Sequence, residues 1–257
     1  MRQRPVPKFF FGENELRGEF VYISGDAANH IVNALRHRVG DRVTLGDGRG
    51  IDYAAVLRSV ASRGKTLVAV LEILGSYVCE TEPPVLIRLF QSLIKWDNLD
   101  FAIMKAVEAG AFEIVPVAAK RSIYKAGDAA RKAERLRKIA RSAAEQTMRG
   151  IIPHVMAAVS FDEALQGCGE HIVYACGESR ACLSDRTKEA LSNPGTSISL
   201  WIGPEGGFTA GEKEQLQKKG ASPLWLGPRV LRSETAAIAA LVTLLGFSSE
   251  HRFGGYA

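Results

Sequence analysis

The sequence predicts an α/β protein in two parts. A small β-barrel spans residues 1–78, a linker spans 79–84, and a larger α/β domain with a parallel sheet spans 85–257. Three observations carry this. Short alternating apolar runs broken by glycine fill the first part. Cys79-Glu80-Thr81-Glu82-Pro83-Pro84 then stops regular structure, because two successive prolines remove backbone donors and stiffen the chain. Beyond it, nearly continuous apolar strands alternate with amphipathic helices, the pattern of a parallel sheet covered on both faces.

In the first part the strands are expected at Phe20–Ile23, Arg42–Leu45, Asp52–Arg58 and Thr66–Ile73, with one helix over Ala27–Arg38. Gly46-Asp47-Gly48-Arg49-Gly50 reads as a hairpin turn, since Asp-Gly supplies the positive φ such turns need and no helix follows to make it a nucleotide loop. In the second part, strands are expected at Val85–Gln91, Glu113–Val117, His171–Cys176, Ser197–Ile202 and Pro223–Leu226. Helices are expected at Asp97–Gly110, Asp128–Arg149, Thr209–Lys219 and Ser233–Phe247. The first of these shows an apolar face at Leu99, Ile103, Ala106 and Val107, the i, i+4, i+7, i+8 spacing. Ser160-x-x-Glu163 and Thr209-x-x-Glu212 fit the capping box, in which hydroxyl and carboxylate satisfy free N–H groups reciprocally. Gly220 is placed to end the helix that Thr209 opens.

Composition narrows the function classes. A hydrophobic fraction of 46% supports packed cores and argues against disorder. Thirty-three Lys and Arg against 28 Asp and Glu give a net charge of +5, so where the cations lie matters more than their excess. Cys79, Cys168, Cys176 and Cys182 form no C-x-x-C pair and meet no His at zinc spacing, which argues against a disulfide framework and a structural metal. Met1–Lys8 carries Arg2, Arg4 and Lys8, but no apolar run follows to make a signal peptide, and nothing approaches a membrane span. A cytoplasmic protein is expected.

Two segments carry chemistry. In Trp201-Ile202-Gly203-Pro204-Glu205-Gly206-Gly207-Phe208-Thr209 an apolar strand runs into a glycine-rich loop and then a capped helix. Loops at the C-terminal ends of sheet strands are where α/β folds bind ligands, and glycine lets backbone N–H and C=O groups approach closely. Leu226-Gly227-Pro228-Arg229-Val230-Leu231-Arg232-Ser233-Glu234-Thr235-Ala236 repeats the strand-then-Gly-Pro arrangement and sets Arg, Ser, Glu and Thr at a helix start. Ser233 reads as an N-cap, and Glu234 complements the helix dipole. Arg232 opposes that dipole, so its position points to another task.

The pair of segments resembles the signature of the SPOUT methyltransferases, and more narrowly the RsmE branch, which methylates N3 of a uridine in 16S ribosomal RNA. Lys8-Phe9-Phe10, Asn29-His30-Ile31 with Leu35-Arg36, and Ala144-Glu145-Gln146 with Arg149 and Pro153 extend the resemblance over nearly the whole chain. The pattern departs from the family at Lys8, where Arg is usual, and at Ala109, where Leu is usual. The resemblance implies a PUA-like N-terminal barrel, a C-terminal domain with a deep trefoil knot formed by the two segments, S-adenosylmethionine as cofactor, and a homodimer. It assigns cofactor contacts to Ile202, Gly203, Glu205, Gly206 and Gly207 in the first segment. Leu226, Gly227, Leu231, Thr235 and Ala236 follow in the second, with Cys176 or Gly177 closing the pocket.

Uridine N3 carries a proton and attacks poorly until the proton leaves, so the enzyme must stabilise the anion as charge spreads onto the flanking carbonyls. Arg232 is the first candidate for that electrostatic role and Arg229 the second. Glu234 beside an Arg makes a poor base and is expected to orient Arg232 or the helix. No metal is required. Lys120–Arg149 holds ten Lys and Arg against three Asp and Glu, and Arg131, Arg135 and Lys138 recur on one helical face. With Lys8, His30, Arg36, Arg38 and Arg149 they are the expected RNA contacts. The expected partners are ribosomal RNA, in the assembled small subunit, and a second copy of the chain, with neither DNA nor a membrane. Two alternatives stay open: a SPOUT ribose 2′-O-methyltransferase acting on transfer or ribosomal RNA, and a non-catalytic ribosome-assembly protein.

Overall fold

Apolar alternation builds the first sheet of the computed structural model, which describes residues 6–64, 66–177 and 183–248. Cys182, Arg2 and Arg4 lie outside these. The strands are β1 (Lys8–Phe10), β2 (Leu16–Arg17), β3 (Phe20–Ser24), β4 (Arg42–Gly46), β5 (Ile51–Arg63) and β6 (Thr66–Val78), in the order β1-β4-β5-β6-β3-β2. Along β3, Val21 and Ile23 are buried while Phe20 and Tyr22 face out, as a period of two requires. Their partners in the core include Phe9, Phe11, Ile31, Leu45, Leu57 and Leu71. Register shifts at Ala54/Ala55 and Leu57/Ser59 bend the long β5–β6 ribbon. The turn between β4 and β5 is a hairpin turn, with Asp47 Oδ1 accepting from the N–H groups of Arg49 (2.7 Å) and Ile51 (3.1 Å) and Gly48 at φ +73°.

β1 pairs parallel with β4, a long-range partnership with no local signal in three residues. The helix expected over Ala27–Arg38 is shorter. α1 covers only Asp26–Asn29 and runs into a single π-type turn at His30–Ala34. Arg36, at φ +57°, leaves the helical region, so Arg36 and Arg38 follow the helix instead of standing on it.

The chain divides into two compact units, the first holding the described residues up to Glu82 together with Ala144–Ile152. Glu82 explains why that second stretch joins. Its carboxylate accepts from Arg149 Nε (3.2 Å) and Nη2 (2.5 Å) and from the backbone N–H groups of Gly150 (2.9 Å) and Ile151 (3.1 Å). Two carboxylate oxygens thus meet four donors, an arrangement that only a buried, well-paired charge sustains. Gly150 packs so close to Cys79 that a Cβ would stand 2.5 Å from the Cys79 Cβ. Residues of the 79–84 stretch thus make contacts of their own with residues 149–151.

The second unit is built on a parallel sheet. Its elements are β7 (Leu86–Ser92), α2 (Trp96–Glu108), β8 (Glu113–Ala118), α3 (Ala126–Ala130), α4 (Ala133–Gln146), β9 (His154–Val155), β10 (Val159–Ser160), α5 (Phe161–Gly167), β11 (His171–Cys176), α6 (Asp185–Ser192), β12 (Ser197–Ile202), α7 (Ala210–Lys218), β13 (Ser222–Trp225) and α8 (Ser233–Gly246). The strand order is β10-β8-β7-β12-β11-β13, with β9 also on β8. Residues 144–146, the last turn of α4, belong to the first unit. Trp201 lies at the centre of the sheet core, stacked on Phe90 at 4.6 Å with Phe161 and Phe208 at its edges. On α2 the four expected apolar positions, Leu99, Ile103, Ala106 and Val107, are fully buried.

Both capping boxes form. Ser160 and Thr209 each accept from the N–H three residues on, and the carboxylates of Glu163 and Glu212 return the bond. The Ser160 hydroxyl and N–H hold the Glu163 carboxyl below its usual range. Burial pushes the Cys168 thiol up, against the pull of Lys219 and Arg88. Gly220, at φ +80°, ends α7. The single basic helix expected over Asp128–Arg149 is two, because the chain turns at Arg131–Lys132 between α3 and α4. Among the described residues no helix is long and apolar enough to cross a membrane.

Glu82→Ala removes the carboxylate that accepts from the buried Arg149 guanidinium and from two backbone N–H groups, and is expected to cost about 3 kcal/mol. Urea denaturation checks this, and an unchanged midpoint would show that the pair is not what fixes residues 144–152.

Candidate cofactor site

Strand order creates the site. β12, β11 and β13 are neighbours and parallel, so the loops that follow them open at the same end of the sheet. Between them lies a cavity of about 340 Å³, within the range of roughly 300–1,000 Å³ typical of small-molecule sites. Cys176 and Gly177 line it from the end of β11, and Ile202, Gly203, Glu205, Gly206 and Gly207 from the loop after β12. Leu226, Gly227, Arg229 and Leu231 line it from the loop after β13, with Ala236 from the first turns of α8. The structure thus brings together the cofactor residues named from the sequence, except one. Thr235 is exposed and does not line the cavity, because its place on the helix points it away from the face that carries Ser233 and Ala236.

The walls are tight where they must be. A Cβ on Gly203 would meet Phe208 N at 3.2 Å and Gly207 Cα at 3.3 Å, so glycine there lets the loop fold back on itself without crowding. Gly207 sits at φ +66° and Gly227 at φ +100°, backbone shapes that other residues rarely adopt.

Ser233 joins the two segments. It was expected as the N-cap of α8, but Arg232 occupies that position and Ser233 is the first helical residue. Its hydroxyl donates to the Gly203 carbonyl at 2.6 Å and accepts from Gln91 Nε2 at 3.0 Å. A hydroxyl that bridges two strand ends serves better here than a local cap. Gln91, at the end of β7, carries no sequence signal for this, since its partner is 142 residues away.

Arg121 and Glu212 were also missed. Arg121 donates from Nη1 to the Gly206 carbonyl at 2.8 Å and packs its stem where a Gly206 Cβ would stand. Glu212 accepts from the backbone N–H of Lys120 at 2.7 Å while capping α7, which ties the loop after β8 to the site. Arg121 was visible only as one charge of a basic stretch.

The residues expected to act on substrate stand at the rim. Arg232 is 81% exposed in its side chain and makes no capping bond. Glu234 is buried, 4.0 Å from Arg232, and among the described residues no hydrogen bond reaches its Oε2. Arg229 is exposed at the cavity edge.

The expected RNA contacts divide. His30, Arg36 and Arg38 are exposed, His30 edge-on to Phe9. Arg131, Arg135 and Lys138 share one open surface, though Arg135 is paired with Asp100 and Lys138 with Glu134 (3.0 Å). Two assignments are corrected. Lys8 is 3% exposed and bound to Asp52 at 2.5 Å, and Arg149 is 3% exposed and bound to Glu82. Both charges are spent inside the fold, out of reach of a phosphate.

Comparison with known proteins agrees with this geometry. An RNA methyltransferase domain family model matches residues 81–245, and an RNA methyltransferase PUA domain model matches residues 23–70. A ribosomal RNA small subunit methyltransferase E from Bacillus subtilis is 35% identical over 226 residues, covering 85% of this chain and 87% of its own. The chain belongs to this methyltransferase family. The Mycobacterium tuberculosis member is 33% identical over 231 residues, covering 87% and 85%. Among solved structures, the Neisseria gonorrhoeae member bound to S-adenosyl methionine has a TM-score of 0.81 at 32% identity, covering 93% of this chain and 96% of that one. A Legionella pneumophila methyltransferase in complex with the same cofactor has a TM-score of 0.82 at 28% identity, covering 95% and 99%. With the PUA domain match, the first unit is a PUA domain and the second a parallel-sheet methyltransferase domain.

Ser233→Ala removes the shared hydroxyl and leaves the Gly203 carbonyl and the Gln91 amide short of a partner, which is expected to cost about 1–3 kcal/mol. Thermal unfolding measures it, and an unshifted transition would mean that the tie is dispensable.

Proposed function

We propose that this chain transfers a methyl group from S-adenosylmethionine to N3 of a uridine in 16S ribosomal RNA. The observation that carries the reading is the glycine-walled cavity at the ends of β11, β12 and β13, formed by the two segments that resemble the family signature. Its chemistry fits the cofactor. Ile202, Leu226 and Leu231 offer apolar walls for an adenine, the glycine loops offer backbone donors and acceptors, and Glu205 offers a carboxylate to a cationic ligand. When bound, S-adenosylmethionine supplies an electrophilic methyl on a sulfonium.

The remaining chemistry belongs to the chain. Arg232 projects from the N-terminus of α8, whose next residue already touches the cavity; its guanidinium is exposed and does not line the cavity, which supports a role toward substrate. There it stabilises negative charge on the carbonyls beside N3. Glu234 stands behind Arg232 and orients it, a positioning role that its buried carboxylate suits better than proton abstraction. Arg229 is the second cation at the rim. The two segments would close the deep trefoil knot that the resemblance implies, with domains at residues 1–78 and 85–257.

The substrate we propose is the assembled small subunit in the cytoplasm, engaged by His30, Arg36 and Arg38 of the PUA domain and by Arg131, Arg135 and Lys138. A second copy of the chain is the proposed partner. Val230 is fully exposed beside the cavity, and Phe101, Val242 and Phe247 leave apolar surface on α2 and at α8, which a homodimer would cover.

Nucleoside mass spectrometry on unmodified small subunits incubated with this protein and S-adenosylmethionine should reveal 3-methyluridine. A methylated ribose instead would overturn the N3 assignment. Calorimetry should give a cofactor Kd near the micromolar range, roughly −8 kcal/mol. In Arg232→Ala that affinity should persist while kcat falls about 100-fold or more. Turnover within a few-fold of the native protein would remove Arg232 from the mechanism.

A further inference from the structure

We propose that Trp96 and Tyr124 form a stacking platform for a nucleobase of the RNA substrate, beside the cofactor cavity. The inference rests on the RNA-methyltransferase reading above and adds a binding subsite to it. Trp96 opens α2 directly after the β7 loop, and Tyr124 lies in the loop after β8. In the sheet, β8, β7 and β12 are adjacent and parallel, so both loops open at the same end as the Gly203–Gly207 loop.

The two rings lie 4.2 Å apart between centroids and 20° from parallel. Neither belongs to the sheet core, which Trp201 and Phe90 fill, and both remain half-buried at the surface. Lys132 Nζ lies over the Trp96 ring, 5.8 Å from its centre, where it can meet the phosphate of a base stacked on the pair. Arg121, three residues before Tyr124, reaches from the same loop to the Gly206 carbonyl, so the loop that carries Tyr124 is tied to the cofactor loop by a direct bond. Lys95, next to Trp96 in the chain, and Arg121 are exposed.

Flat aromatic faces with cations at their rim are how proteins hold unpaired RNA. Bases stack on the rings, and Lys and Arg meet the phosphates. Methylation at N3 requires an unpaired base, because N3 lies on the pairing edge. A base taken out of its stack leaves its neighbours without one as well. A platform next to the methyl donor restores that stacking and fixes the strand's register relative to the cavity.

The test uses the full chain. Trp96→Leu and Tyr124→Leu keep apolar bulk but lose the flat face, whereas Trp96→Phe and Tyr124→Phe keep it. Binding of a fluorescein-labelled oligouridine, and KM for unmodified small subunits, should weaken about 10-fold in the leucine variants and recover in the phenylalanine variants. Cofactor affinity and kcat should stay within about twofold, since neither Trp96 nor Tyr124 lines the cavity. Leucine variants that bind RNA as the native protein does would overturn the platform. So would leucine variants that lose cofactor affinity and thermal stability along with RNA, because the pair would then be a packing element of its loops. Native protein that binds oligouridine through these rings, yet leaves no 3-methyluridine, would overturn the proposed activity while the platform stands.

Discussion

The Ser233 hydroxyl is one small group on which the site's geometry turns. It donates to the carbonyl of Gly203 and accepts from the amide of Gln91, so the loop after β12, the start of α8 and the end of β7 meet at one oxygen. These groups are buried, and a buried polar group without its partner costs far more than a solvated one. The two segments are therefore locked in one relative position before any ligand arrives. A cavity held this way is preorganised, which is what alignment of a methyl donor with a nucleophile requires.

Charge in this protein does two different jobs, and the net value of +5 separates neither. Lys8 and Arg149 sit inside the fold, each paired with a carboxylate and nearly without solvent contact. They brace the first unit, since a buried charge is stable only when it is paired. Arg232, Arg229, Arg36 and Arg38 stay exposed, with their charges in water and at modest cost to the fold. Arg121 spans both roles, since one guanidinium nitrogen holds Gly206 while the side chain remains at the surface. That division follows from the order of the strands more than from the residue types.

Much of the fold was legible locally. The alternation of β3, the Asp-Gly turn after β4, the capping boxes at Ser160 and Thr209, and the apolar face of α2 each depend on residues a few positions apart. Errors fell where a local pattern met a distant demand. The long basic helix breaks at Arg131–Lys132 between α3 and α4, and the helix at Ala27 stops early as Arg36 turns to positive φ. β1 went unseen because its partner β4 lies more than thirty residues on.

By itself, the sequence determined the element types, the two glycine segments and the residues that wall the cavity. Steric freedom at glycine, capping chemistry and apolar period are all written within one turn or one strand. Only the tertiary structure decided what those residues face. It moved Ser233 from a helix cap to a bridge, withdrew Lys8 and Arg149 from the surface, turned Thr235 away from the cavity, and set Arg121 against Gly206. The reason is that β7, β12, β11 and β13 are neighbours in space but not in sequence. No local pattern records which strand end will stand beside which.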